Sequence, residues 1–273
     1  MLQRNPTLAF FTITFGISWG LAAIFWILSS LGLEFLNGDQ PGLFARGLFL
    51  LAVWGPNFSA VLVTWRIGGR DGLRDLFSRL SPRRAGAGWW TIAVVLPIAL
   101  LAISVLLAKP FADVGFARLA PDSWTVLLTF LGLSLIGGPL GEELGWRGFA
   151  LPRMAKRMTP LAATLLIGLA WGAWHLPVLV VPQIQQAFLP PGFPILAFPL
   201  YTTAASVLIG WIYLRGGQCL WLAVLFHLVL LWGVHALSRD PLPALVWGGV
   251  AAYFAAAILA ALAPMMRKRG LGA

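Results

Sequence analysis

The chain is short of charge, and shortest of acid. Asp and Glu together number 9 of 273 residues, against 19 Lys and Arg, and charged residues make up only 10% of the chain. Soluble domains carry about 25%, so there is too little polar surface here to clothe a globule in water. A single cysteine, Cys219, excludes an intrachain disulfide and leaves the redox compartment open. No stretch alternates apolar and polar residues in the manner of a barrel strand, and neither an internal repeat nor a low-complexity segment is evident. What fills the chain is hydrocarbon: 59% of residues are hydrophobic and the mean hydropathy is +0.86. That composition belongs to a polytopic all-α membrane protein.

A net charge of +10 would suit a nucleic-acid partner, but the cations cluster between apolar segments. That is the pattern of topology signals and of contacts with anionic lipid, so membrane lipid is the expected partner and nucleic acid is not. A membrane span needs about 20 mostly apolar residues. Eight runs qualify, roughly 8–31, 44–65, 89–108, 124–148, 160–181, 195–214, 219–237 and 243–264. They predict eight transmembrane helices in one bundle over residues 1–273. The first run is too long for a signal-peptide core and reads as a retained span. With the N-terminus in the cytoplasm, the outer segments keep only Arg46, Lys109, Arg118 and Arg239, and the other Lys and Arg fall inside. This bias places both termini in the cytoplasm, in a multi-pass protein of the bacterial inner membrane. The basic, Gly-rich stretch 66–88 reads as a linker along the inner leaflet. The uncharged, Pro-rich stretch 182–194 reads as an outer loop, with a gate beside a substrate path as the alternative.

Against this background the stretch "GGPLGEELGWRGF" stands out, since it places two of the three glutamates side by side at the end of an apolar run. An ionisable group at mid-membrane costs about 2.5–3.5 kcal/mol on insertion scales, so Glu142 and Glu143 need a reason. Glu143 and Arg147 stand i, i+4 on one helix and can pair. Glu142 points about 100° away and is left for another partner. Spans four and five form an antiparallel hairpin about the basic turn "AKRMTP", which puts Glu142 and His175 at similar depth, with Pro152 interrupting the first arm. Gly137, Gly141 and Gly145 on one arm and Gly168 and Gly172 on the other predict close packing of the two arms. His227 lies about two turns into span seven, at a compatible depth. A glutamate in such surroundings is a capable general base for water. The structural alternative is an ion network of Glu142, Glu143 and Arg147 capping span four, with His175 bonding a free carbonyl at a helix end. His235 is assigned to structure.

These residues also carry a resemblance. "EELGWR" is an EExxxR motif, "WGAWH" resembles FxxxH with Trp171 in place of Phe, and "FHLVLL" supplies the histidine of an HxxxN motif. In this order they resemble the CPBP family: CAAX prenyl endopeptidases, bacteriocin-processing proteins and the related Abi proteins. The resemblance covers roughly residues 124–240. It implies an eight-helix intramembrane protease with a cavity open to the cytosol, acting on a hydrophobic or lipidated peptide or a membrane-protein segment. By position it implies that Glu142 activates water, that Glu143 and Arg147 support it, and that His175 and His227 orient the water or steady developing charge. The family's zinc view would instead make Glu142, His175 and His227 metal ligands, although no HExxH spacing exists here. One departure is Leu231, where the family commonly has asparagine; Trp232 or His235 is a nearby substitute donor. It favours a second reading, a non-catalytic membrane scaffold or immunity-type binding protein. A third, a proton-coupled transporter, lacks an inverted repeat.

Overall fold

Short polar residues ahead of prolines and apolar runs start several helices. Asn5 accepts a hydrogen bond from the Leu8 N–H and Pro6 opens α1 (Pro6–Ser30). Ser123 caps α5 (Trp124–Ile136) through the Val126 N–H, and Thr159 caps α8 (Pro160–Trp174) through the Ala162 N–H, with Pro160 at the first position. Each cap satisfies a donor that the helix itself leaves open. The computed structural model describes residues 3–32, 43–181, 194–238 and 243–268. The remaining helices are α2 (Leu43–Val53), α3 (Gly55–Ser78), α4 (Ala87–Ala108), α6 (Pro139–Glu143), α7 (Leu151–Ala155), α9 (Leu176–Val180), α10 (Ala197–Arg215), α11 (Leu220–Ser238), α12 (Pro243–Ala261) and α13 (Pro264–Arg267). No strand occurs among the described residues.

The eight expected spans are recovered as helical segments, but they are not eight equal spans. Among the described residues, five helices are long and apolar enough to cross a membrane: Pro6–Ser30, Ala87–Ala108, Trp124–Ala155, Ala197–Arg215 and Pro243–Ala261. A sixth arises if Phe44–Val53 and Gly55–Ser78, bent by 51°, count as one. The apolar parts of the expected fifth and seventh spans, Pro160–Trp174 and Leu220–Gly233, are shorter. The expected linker 66–88 is helical as far as Ser78, with a kink at Gly69, whose φ of 55° suits a residue without a side chain. The outer loop or gate expected at 182–194 lies, but for Pro194, outside the described residues.

Span four breaks earlier than expected. Pro152 sits in the first turn of α7, where a missing N–H is tolerated. The interruption lies at Gly137 and Gly138, between α5 and α6, and a π-helical segment, Leu144–Ala150, follows. The glycines have partners other than those expected. A Cβ at Gly141 would stand 2.8 Å from Trp54, and one at Gly145 would stand 2.7 Å from the Pro56 backbone. Gly168 and Gly172 face Thr203 and Pro199 of α10. Small residues permit close approach without naming the neighbour. Here α3 takes one stripe and α10 the other.

The arginine-bearing connections gather at one end. Arg79 donates to the Gly148 carbonyl (2.8 Å) and pairs with Asp75 (3.0 Å). The Leu220 N–H bonds the Arg79 carbonyl, and Arg84 donates to Gly217. Near this end Phe10 of α1 stacks on Phe149 (5.0 Å) and meets Trp146 edge-on (5.5 Å).

Candidate active site

A broken helix inside a bundle leaves backbone groups that hydrocarbon cannot satisfy. Two side chains of the α2–α3 bend supply what is missing. The indole N–H of Trp54 donates to the Ile136 carbonyl at 2.9 Å, just before the break. Asn57 donates to the Leu140 carbonyl at 2.5 Å and accepts from the Gly145 N–H at 3.1 Å. These bonds hold Pro139–Gly145 from outside, and Glu142 and Glu143 with it. Asn57 had a visible signal, an amide in the middle of the apolar run "WGPNFSAV", but its partners belong to another span.

The two glutamates then diverge. Glu143 is fully buried and its Oε1 takes two bonds, from Arg147 Nη1 at 2.9 Å and from His227 Nδ1 at 2.8 Å. Arg147 is 1% exposed. The expected i, i+4 pair is therefore present, and His227 joins it. Glu142, 3% exposed, takes a different partner: its Oε2 accepts from the Trp171 indole N–H at 2.6 Å. Glu142, left for another partner by the Glu143–Arg147 pair, therefore finds it in an indole and not in a charged group. Trp171, noted in the sequence only as a replacement for Phe, reaches it from α8.

His175 stands at the C-terminal end of α8, with Nδ1 2.9 Å from the Trp171 carbonyl. A carbonyl only accepts, so Nδ1 carries the proton and Nε2 is the nitrogen left over. This bond is the helix-end role allowed for in the sequence, and it does not remove His175 from the site. For His227 the Glu143 oxygen that already accepts from Arg147 likewise assigns the proton to Nδ1. The rings pack edge to face: Trp171 against His227 at 5.0 Å and against His175 at 5.9 Å.

Glu142, His175 and His227 line one cavity of about 690 Å³, with Trp171, Trp174, Tyr201, Thr202 and Leu231. Glu143 and Arg147 are not among its lining residues and lie behind it. Most of the remaining lining comes from α1 and α2, which contribute apolar residues such as Leu21, Phe25, Phe49 and Val53 together with Ser18 and Arg46. A Cβ on Gly138 would be 3.1 Å from Leu231 Cδ1 and 3.9 Å from Glu142 Oε1, so both groups border the Gly138 backbone. Neither Trp232 nor His235, the donors considered in its place, lines the cavity. His235 packs against Phe130 at 4.5 Å.

The zinc alternative does not fit. Among the described residues no three His, Cys, Asp or Glu side chains converge closely enough to hold a metal ion, Glu142, His175 and His227 included. Both histidines are oriented through Nδ1, which leaves Nε2 of each as the free ring nitrogen. What the arrangement offers is a carboxylate oxygen and two imidazoles around a mostly apolar chamber, enough to take up and return a proton.

Comparison with known proteins agrees with these motifs. Residues 122–233 match the family model of type II CAAX prenyl endopeptidase Rce1-like proteins. The chain is also 29% identical over 180 residues to CAAX prenyl protease 2 of Methanococcus maripaludis. That match spans 62% of this chain and 65% of the relative's length.

Proposed function

We propose that this chain, a member of the CPBP family by the match that contains its paired glutamates, is an intramembrane endopeptidase with a glutamate-activated water. The observation that carries the reading is the single cavity shared by Glu142, His175 and His227. In the proposed reaction Glu142 removes a proton from water as the oxygen attacks the peptide carbonyl carbon. The C–N bond then breaks, and Glu142 returns the proton to the leaving amine. His175 and His227 orient the water or meet the developing oxyanion. Glu143 and Arg147 fix His227 from behind. The substrate class that suits the chamber is a hydrophobic or lipidated peptide, or a membrane-protein segment. The relative's name adds a prenylated CAAX peptide as the first probe.

The same reading takes residues 124–240 as the catalytic core of one eight-span bundle in a bacterial inner membrane, with both termini in the cytoplasm. The reaction's membrane face is less simple. The resemblance implies a cytosolic opening, yet the lining residues of α1, α8 and α10 lie in the halves of those helices remote from the Arg79–Gly148 end.

A first test is cleavage of a quenched fluorescent peptide, with and without a C-terminal prenylated cysteine, by purified protein in lipid nanodiscs. Glu142→Gln keeps the shape of the side chain and removes the base. General acid–base catalysis contributes about 10²–10⁴-fold, so the rate should drop by about that factor while the protein still purifies folded. Cleavage at the wild-type rate would defeat the assignment. The rival reading, a scaffold or immunity-type protein, is favoured by one observation: the cavity that Glu142 lines has Leu231 where the family commonly has asparagine. It expects no cleavage by either protein and a biological phenotype that survives Glu142→Gln.

A further inference from the structure

A carboxylate acting as a base has two oxygens that exchange places by rotation of the side chain, and only one can face the substrate. In this chain the exchange is blocked by one bond. Oε2 of Glu142 is held by the Trp171 indole N–H at 2.6 Å. The bond recorded for Glu142 is on Oε2, and Oε1 lies on the side of Gly138, 3.9 Å from where a Cβ of that residue would stand. The apolar Leu231 offers no competing donor.

Trp171 is itself held from several directions. The Arg147 guanidinium carbon lies 5.1 Å from the centre of its ring. Its carbonyl accepts from His175, and His227 meets the ring edge to face at 5.0 Å. The indole is 3% exposed. One side chain therefore touches Glu142, Arg147, His175 and His227, and reaches Glu143 through Arg147 or His227. A phenylalanine here would keep most of the ring's packing and lose the single N–H.

We infer that Trp171 is a positioning residue: its indole N–H pins Oε2 of Glu142 so that Oε1 is the oxygen presented to water in the cavity. The inference rests on the hydrolase reading above for its kinetic consequence, but the contact itself can be examined without turnover.

The decisive variant is Trp171→Phe, assayed in nanodiscs with the same fluorescent peptide. A hydrogen bond to a charged group is commonly worth about ten- to a hundredfold in an equilibrium. The expected result is a fall of about that size in kcat, a KM changed less than about twofold, and an unchanged thermal midpoint. A residue that only fills space would leave kcat within twofold, and that result overturns the proposal. So would a loss confined to KM. The second arm uses protein labelled with 15N-tryptophan. The indole resonance that disappears in Trp171→Phe identifies Trp171, and it should move upfield in proton shift when Glu142→Gln weakens the acceptor. An unmoved resonance overturns the contact even if the variant is slow. If the wild-type protein cleaves none of the peptides, the hydrolase reading fails, and the resonance alone decides whether Trp171 holds Glu142.

Discussion

Glu143 and Glu142 are neighbours in sequence with opposite tasks, and the difference lies in what each side chain meets. Glu143 is surrounded by Arg147 and His227 at zero exposure. Its Oε2 and Arg147 Nη2 have no hydrogen-bond partner among the described residues. An ion pair so placed contributes little net stability, yet removing one partner strands the other charge, which costs about 3–5 kcal/mol in soluble proteins. Glu143→Ala should therefore act on folding as well as rate. Its thermal midpoint in detergent should fall by several degrees, whereas Glu142→Gln should hold the wild-type value. Equal midpoints for the two variants would mean that Glu143 is not the structural member of the pair. The i, i+4 spacing made the Glu143–Arg147 bond legible in the sequence. The bonds from Trp171 and His227 were not legible, because each joins residues on different spans and depends on how those spans rotate about their axes.

At the scale of the element, the site depends on a helix that is broken and then repaired by its neighbour. Asn57 serves both a carbonyl and an amide of the Pro139–Gly145 stretch. Leaving such groups unsatisfied when buried costs about 1–3 kcal/mol each. Asn57→Leu, which keeps the volume, should lower both thermal stability and cleavage although Asn57 touches none of the proposed reacting atoms. Gly145→Ala acts on the same contact by steric means, because the added carbon would stand 2.7 Å from the Pro56 backbone. Overpacking of this kind costs about 1–3 kcal/mol. Gly132→Ala, where nothing lies within 4 Å of the added carbon, is the matched control and should be neutral in the same melting and cleavage assays. Sequence patterns recovered helix existence well because capping and apolar length are local. They misplaced the break in span four because Pro152 was the obvious breaker. The actual one, a Gly-Gly pair relieved by Trp54, requires a partner from another helix.

At the scale of the whole molecule, the cavity lining on α1, α8 and α10 lies toward the ends of those helices remote from the Arg79–Gly148 contact, while α11 meets it part-way along. Helix α11 leaves the Arg79 end at Leu220 and meets the cavity at His227, about 10 Å along at 1.5 Å per residue. Helix α8 reaches the cavity only at Trp171, near its far end, and α10 lines it with Phe198, Tyr201 and Thr202, near its start. On the proposed orientation, with the positively charged connections in the cytoplasm, this arrangement would turn the described part of the chamber toward the outer leaflet, the reverse of a simple cytosolic opening. The prediction is direct. In a Cys219→Ala background, cysteines placed at Ala22 and Val178, both lining residues, should react with a membrane-impermeant maleimide added outside intact cells. A cysteine at Lys156, exposed beside the basic turn, should react only after permeabilisation. Should Ala22 and Val178 label only from the Lys156 side, the chamber opens to the basic face and substrates approach from the cytoplasm. Labelling of the Lys156 position from outside, with Ala22 and Val178 reacting only after permeabilisation, would instead invert the bundle as a whole, and the arginine distribution would have misled.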